Sequence, residues 1–225
     1  MIRFVFTCAM IAFAVTPLSA EPTEPTLKSE KVELPDALAK ELRPEFATDA
    51  FSIREVEKSV LTLWFRKEIP VKATAEQVKN GLTYREIPEG SLIGLAKFEK
   101  VFIDYRKQAI PAGTYTLRIA VQPDTGDHRD TAPHADFVLL TPVADDKILE
   151  VPELKDLVKR SLKSTGGDHP GVMLLYPHFG KEADVKIVNK PNDVVCMQTK
   201  IKVTTMDATT TLGIAIVVNG FSDKR

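Results

Sequence analysis

From about residue 50 onward, apolar and polar side chains alternate over short runs, and this period-two pattern limits the fold more than any other feature. In the clearest run, 114–122, the mainly apolar residues at odd positions share one face of an extended chain. The mainly polar residues at even positions share the other face. We expect one buried face and one largely wet face, as in an antiparallel sheet.

Similar runs recur along the chain, and Pro-, Gly- and Asn-containing turns separate them. They cover 61–66, 82–88, 91–98, 136–142, 171–177, 185–189, 194–204 and 211–218. The run 211–218 is apolar on both faces and is expected to be a central strand. Many short strands with regular turn signals predict a mainly β fold, an antiparallel, jelly-roll-like β-sandwich of about nine strands.

Two helices are expected beside the sheet. One is a short N-terminal helix over 35–43, closed by Pro44. The other is an inserted amphipathic helix that begins near Pro152 and stops at Gly166 and Gly167. The basic residues late in the second helix complement its dipole and indicate a solvated face rather than a ligand site.

The first twenty residues have the order of a signal peptide: Arg3, an apolar run over 4–15, Pro17 and a small residue, Ala20. The run is shorter than the roughly 20 residues that span a bilayer. We expect cleavage after Ala20, a periplasmic or secreted product, and no membrane span after cleavage. The remaining chain divides into a polar leader, 21–45, and a single β-sandwich domain, 46–225.

Charge and cysteine usage narrow the function classes. Thirty basic and 31 acidic residues leave a formal net charge of −1, which does not suit a protein that coats nucleic acid or an anionic membrane. Cleavage removes Cys8 and leaves Cys196 alone among apolar neighbours. Such a cysteine is usually a small buried hydrophobe.

The four histidines all fall between residues 128 and 178, and aspartates precede two of them. The candidate metal ligands are Asp127, His128, His134, His169 and His178. Imidazole and carboxylate groups bind zinc or copper. His169 and His178 lie roughly 30 Å apart along an extended strand, at about 3.3 Å per residue, so they cannot share one ion. The alternative is that the aspartates form turns beside exposed histidines.

Trp64 is the candidate ligand-binding aromatic. It lies on the strand face opposite Leu61 and Leu63, next to polar residues, and amphipathic Trp suits a carbohydrate-stacking or interface position. No nucleophile elbow, dinucleotide-binding glycine motif or Cys-x-x-Cys occurs.

Several short segments together resemble a family of exported bacterial β-sandwich proteins. They are Leu63-Trp64-Phe65-Arg66-Lys67, Leu92-Ile93-Gly94, Asp104-Tyr105-Arg106, 110–118, Gly126-Asp127-His128, 136–140 and His169-Pro170. The resemblance spans roughly residues 60–175. It implies export and the sandwich fold, and it implies no activity.

Three hypotheses follow for function. The first is an exported, non-catalytic binding or structural module with an unidentified protein or glycan partner. The second is a metal-binding or metal-dependent protein that uses the Asp/His loop residues. The third is a carbohydrate-binding module that uses Trp64.

Overall fold

The computed structural model describes residues 25–55, 58–123, 132–180 and 185–222, and these residues form a mainly β protein, as predicted. The strands are β1 Thr26–Lys31, β2 Asp49–Glu55, β3 Lys58–Phe65, β4 Ile69–Pro70, β5 Leu92–Phe98, β6 Phe102–Ile103, β7 Ala109–Ile110, β8 Gly113–Val121, β9 Asp136–Pro142, β10 Gly171–Tyr176, β11 Lys186–Lys190, β12 Val194–Thr204 and β13 Thr209–Asn219. The helices are α1 Ala75–Asn80, α2 Leu154–Thr165 and two short 3₁₀ helices, Arg43–Glu45 and Tyr84–Glu86.

One large sheet holds eleven of the described strands, compared with about nine expected. Its order is β1-β2-β3-β5-β8-β9-β10-β13-β12-β11, with β4 added in parallel beside β12. Strand β10 joins the two halves of the sheet, because Gly171–Leu174 pair with β9 and Leu175–Tyr176 pair with β13. The end strands β1 and β11 contact each other, so the sheet curls around its inner face.

The inner face carries the main core, and there the alternation predicted the side-chain directions correctly. Tyr115, Leu117 and Ile119 of β8 are buried in this core together with Leu61 and Leu63 of β3. The final long strand, β13, pairs with β12 along almost its whole length. Its position inside the sheet agrees with its apolar character on both faces.

The segment before β2 is not the expected polar leader with a helix over 35–43. Residues 26–31 form β1, which pairs with β2. Between Val32 and Phe46 the chain makes separate turns, with Leu38 N–H donating to the Pro35 carbonyl and Leu42 N–H to the Ala39 carbonyl. These three-residue steps replace the four-residue bonds of an α-helix. The apolar side chains of this segment are spaced to cover the outside of β3 and β5 rather than to line a helix.

The strand predicted over 82–88 is also wrong. Tyr84–Glu86 is a 3₁₀ helix whose start is closed by a capping box. The Thr83 side chain accepts from the Arg85 N–H, while the Glu86 side chain accepts from the Thr83 N–H. Thr followed three residues later by Glu is a helix-start signal, and here it overrides the alternation.

Helix α2 confirms the inserted amphipathic helix, although it begins two residues after Pro152. Gly166 ends it in the left-handed conformation at φ 64°. One face packs on the outer side of the sheet, where Leu157 contacts β8 and β9. The Ser161 hydroxyl donates to the Leu140 carbonyl at 2.7 Å, and a Cβ at Gly171 would lie 2.3 Å from the Ser164 hydroxyl oxygen. The glycine is therefore required for the close approach of helix and strand.

Candidate functional site: a pocket on the outer face of the sheet

The outer face of β8 is buried rather than wet, which reverses the sequence expectation. Thr116 and Arg118 are fully buried, and Ala120 is 1% exposed. Residues 143–150 and helix α2 lie over this face, so its polar side chains find partners inside the protein. The cover comes from chain segments more than twenty positions away, and a pattern within one strand does not report it.

Arg118 and Asp146 form a fully buried ion pair at the centre of this covered face. The Arg118 Nε donates to one carboxylate oxygen of Asp146 at 2.7 Å, and Nη2 donates to the other at 3.0 Å. The remaining donors reach the carbonyls of Gly90, Ile148 and Glu150. Every guanidinium nitrogen is thus satisfied by the protein, so this pair holds the 143–150 segment in place and presents no group to a ligand.

Beside this covered region, α2 and the outer face of the sheet enclose a cavity of about 360 Å³, which we call the outer-face pocket. Its size lies within the range of small-molecule sites. The floor and one wall are apolar, formed by Phe137, Leu139, Val172 and Leu174 of the sheet and Leu154 and Val158 of the helix. The helix borders the pocket with Leu154 and Val158, whereas Leu157 and Ser161, on the adjacent face, pack on the sheet.

The polar groups of the outer-face pocket lie on its rim. Arg106 and Tyr105 come from the turn between β6 and β7, Gln122 follows β8, and Asp168 and His169 follow α2. Tyr105 is buried, whereas the side chains of Arg106, Asp168 and His169 are exposed. An apolar interior with a few polar groups at its border suits a molecule that has an apolar body and a polar terminus.

A buried carboxylate fixes the turn that supplies Arg106. One oxygen of Asp104 accepts from the N–H groups of Arg106 and Gln108, each at 2.9 Å. The other oxygen accepts from the Gln108 side chain at 2.9 Å and from the Val172 N–H of β10 at 3.3 Å. Burial raises the pKa of Asp104, and these hydrogen bonds oppose the rise. The turn is thereby attached to the floor of the pocket.

The three described histidines do not form one site. His134 packs the edge of its ring against Tyr176, with ring centroids 4.4 Å apart, at the opposite end of β10 from His169. Seven residues of extended chain separate 169 from 176, roughly 20 Å at about 3.3 Å per residue. His178 lies against Gly213 of β13, where an added Cβ would meet its carbonyl oxygen.

No group of three or more metal-ligating side chains occurs within the described residues. Asp127 and His128, the centre of the predicted metal cluster, lie outside them. Of the predicted ligands that the structure describes, His169 borders the outer-face pocket, whereas His134 and His178 do not. Zinc or copper binding through Asp127, His128 and His134 therefore stays a prediction.

Beside His134, a small polar group lies on the sheet surface. Burial lowers the pKa of His134 and raises the pKa of Asp136, which also pairs with Arg85 at 3.1 Å. The ammonium nitrogen of Lys190 lies 5.8 Å from the centre of the Tyr176 ring. These contacts join the helix Tyr84–Glu86 to β9 and Lys190 of β11 to Tyr176 of β10, and neither the outer-face pocket nor the other large concavities of the described residues open onto them.

Trp64 is 1% exposed, and its ring has no open face for a sugar. It packs with Leu38, Leu42 and Phe46 of the covering segment, and its indole N–H donates to the Val32 carbonyl at 3.1 Å. The carbohydrate hypothesis thus loses the residue on which it rested. Trp64 does lie on the strand face opposite Leu61 and Leu63, as predicted, but the segment 32–46 covers that face.

Cys196 is buried on the outer side of β12, as its apolar neighbours indicated. Burial raises the pKa of its thiol to about 11. A thiol of this kind is largely protonated at neutral pH and is a poor nucleophile. The residue acts as a small apolar side chain in the cluster formed with Leu174, Val194 and Val217.

A second concavity, of about 560 Å³, lies at another part of the sheet and includes the exposed side chains of Val101, Ile103 and Phe221. Its charged groups, Lys100 and Glu55, pair with each other. Among the residues that the structure describes, it therefore has no uncompensated charge with which to orient a ligand. The outer-face pocket is the better candidate site on this ground.

Sequence reasoning missed the outer-face pocket because its lining comes from five separate parts of the chain. The segment Asp104-Tyr105-Arg106 carries a local turn signal, its aspartate, but this signal does not report the strands and helix that complete the pocket. No described helix is both long and apolar enough to cross a membrane. Comparison with known proteins found no match to this chain among family models, curated sequences or solved structures.

Proposed function

We propose that this protein is an exported, non-catalytic binding module that holds a small, mainly apolar molecule in the outer-face pocket. The observation that carries the proposal is a cavity of about 360 Å³ with an apolar floor and a polar rim. Export is supported by the signal-peptide pattern of residues 1–20. In this proposal the two halves of the curled sheet face each other as the layers of a β-sandwich.

The location of the pocket supports a binding role. Its floor is the rigid sheet, and its helical wall is anchored by the Ser161 hydroxyl on the Leu140 carbonyl. Leu154 at the mouth is 44% exposed, which leaves apolar surface in water when the pocket holds no ligand. Covering such surface with an apolar ligand is favourable by about 25 cal/mol per Å².

The test uses Nile red, a neutral dye that fluoresces strongly in apolar surroundings. We expect it to bind the purified protein with a blue-shifted emission, and Val158→Phe to weaken that binding about tenfold or more by filling the cavity. Lys159→Phe is the matched control, because it adds the same ring at the next, exposed position of α2. It is expected to leave the affinity unchanged.

Two results would contradict the proposal. One is an absence of binding by the folded protein. The other is equal binding by Val158→Phe and the wild type, which would place the dye elsewhere. Circular dichroism of both variants checks that the fold is retained.

A further inference from the structure

We infer that the ligand of the outer-face pocket is an apolar chain that ends in a carboxylate, and that Arg106 binds this carboxylate at the rim. The inference rests on the proposed function and adds the chemical class of the ligand. It is carried by the charge of Arg106, which is unpaired among the described residues beside the apolar cavity, and by the buried Asp104 carboxylate that fixes the turn of this residue.

Arg106 differs from the other described arginines because its guanidinium has no partner, side chain or backbone, among the described residues. Four of the others pair with acids: Arg54 with Glu30, Arg66 with Glu45, Arg85 with Asp136 and Arg118 with Asp146. Arg160 also approaches Asp146, and Arg43 donates to two backbone carbonyls. Within the described part of the chain, the guanidinium of Arg106 makes neither an ion pair nor a hydrogen bond.

The backbone of Arg106 is nevertheless held firmly. Its N–H donates to the buried Asp104 carboxylate, which is also bonded to the Val172 N–H in the pocket floor. Lys107 turns the chain with a φ of 65°, after which Gln108 returns it to β7. An unpaired guanidinium on a fixed turn is suited to a planar anion, because its donors match a carboxylate in a bidentate arrangement.

Asp168 lies on the same rim and carries a charge opposite to that of Arg106, so it provides a second test of the inference. Its carboxylate repels a ligand carboxylate, whereas Arg106 attracts it. Removal of the acid should therefore tighten binding of an anionic ligand, and removal of the base should weaken it. Neither change should affect a neutral ligand with the same chain.

The experiment measures displacement of Nile red by dodecanoate and by dodecanol from the wild type and four variants. For Arg106→Gln we expect dodecanoate affinity to fall about tenfold, the loss of one charge-assisted contact, and dodecanol affinity to stay the same. Asp168→Asn should raise dodecanoate affinity. Arg106→Lys should retain part of it, because the charge remains without the fork geometry. Lys107→Gln, a loss of charge at the adjacent exposed residue, is the matched control and should have little effect.

The outcomes separate this inference from the proposed function. Equal affinities for dodecanoate and dodecanol, unchanged by Arg106→Gln, would overturn the inference and leave the apolar pocket in place. An equal loss for Arg106→Gln and Lys107→Gln would overturn it as well, since the effect would then be general surface charge. If neither Nile red nor either ligand binds, the proposed function and the inference both fail.

Discussion

Among single residues, Arg118 is the clearest case of a side chain that the strand pattern predicted to face water but that is buried, in an ion pair with Asp146. A buried ion pair is weak as a source of net stability, but the loss of one partner leaves a buried charge uncompensated. Its role here is to hold the 143–150 segment against the sheet, ahead of α2. Replacement of Asp146, with replacement of its neighbour Asp145 as the control, tests this role.

Asp146→Asn is expected to lower the free energy of unfolding by about 3–5 kcal/mol, because Arg118 would stay buried without its counter-charge. Asp145→Asn should cost about 0–1 kcal/mol, since Asp145 pairs with Lys163 at the surface. Urea unfolding of both variants measures the difference. Similar small losses would mean that the buried pair does not hold the segment.

Tyr84 provides a second residue-scale test. Its hydroxyl donates to the Tyr176 carbonyl at 2.7 Å and accepts from the Ala215 N–H at 3.0 Å, so it joins β10 to β13. Tyr84→Phe removes the partner of the buried Ala215 N–H and of the part-buried Tyr176 carbonyl and should cost about 1–3 kcal/mol. Tyr115→Phe, which removes only a local bond to the Pro111 carbonyl, should cost about 1 kcal/mol or less by denaturant unfolding. The reverse order would contradict the assignment.

The buried thiol of Cys196 predicts that the stability of the folded protein depends on pH in the alkaline range. Burial raises the pKa of its thiol from 9.0 to about 11, so the folded protein keeps a proton that the unfolded chain loses above pH 9. The stability that this group contributes is therefore complete below pH 9 and is lost as the pH rises towards 11. In a mildly alkaline buffer we expect slow reaction with a disulfide reagent in the folded state and fast reaction in denaturant. Fast reaction of the folded protein would show an accessible thiolate instead.

Among the elements, the segment 32–46 is the reason that Trp64 is buried, although its strand position made it a candidate for an exposed aromatic. It has little regular structure, yet its leucines and Phe46 cover the outside of β3 and β5. Leu42 is fully buried there. The tryptophan emission therefore reports directly on whether this segment is docked, because the chain has one Trp.

Leu42→Ala should destabilise the protein by about 2–5 kcal/mol and shift the Trp64 emission to the red as water reaches the ring. Glu41→Ala changes an exposed neighbour in the same segment and should alter neither property. Fluorescence spectra and chemical denaturation measure both effects. An unchanged emission in Leu42→Ala, together with a small loss of stability, would mean that the segment is not a tight cover.

The strands were predictable where one face meets the inner core, as in β8 and β12, because a local period of two records that burial. The helix α2 was predictable from its own stripe and its terminal Gly166. Cover by distant segments was not predictable from the local pattern. It buries the outer face of β8 and Trp64, and it explains why residues 35–43 pack over the sheet instead of forming a helix. The outer-face pocket belongs to the same class, since it exists only where α2 and the β6–β7 turn meet the sheet.

At the scale of the whole molecule, one curled sheet carries two concavities of unlike charge. Within the described residues, Arg106 at the rim of the outer-face pocket is unpaired, whereas Lys100 and Glu55 of the second concavity pair with each other. We predict that the ligand occupies the outer-face pocket and not the second concavity. A method that observes both regions at once is therefore more decisive than an affinity alone.

The most direct measurement is a methyl NMR titration of the purified protein with dodecanoate. We predict that shift changes concentrate on Leu139, Val158 and Val172, while Ile103 and Val218 in the second concavity stay unchanged. Changes confined to Ile103 and Val218, or no saturable change in either set, would contradict the account.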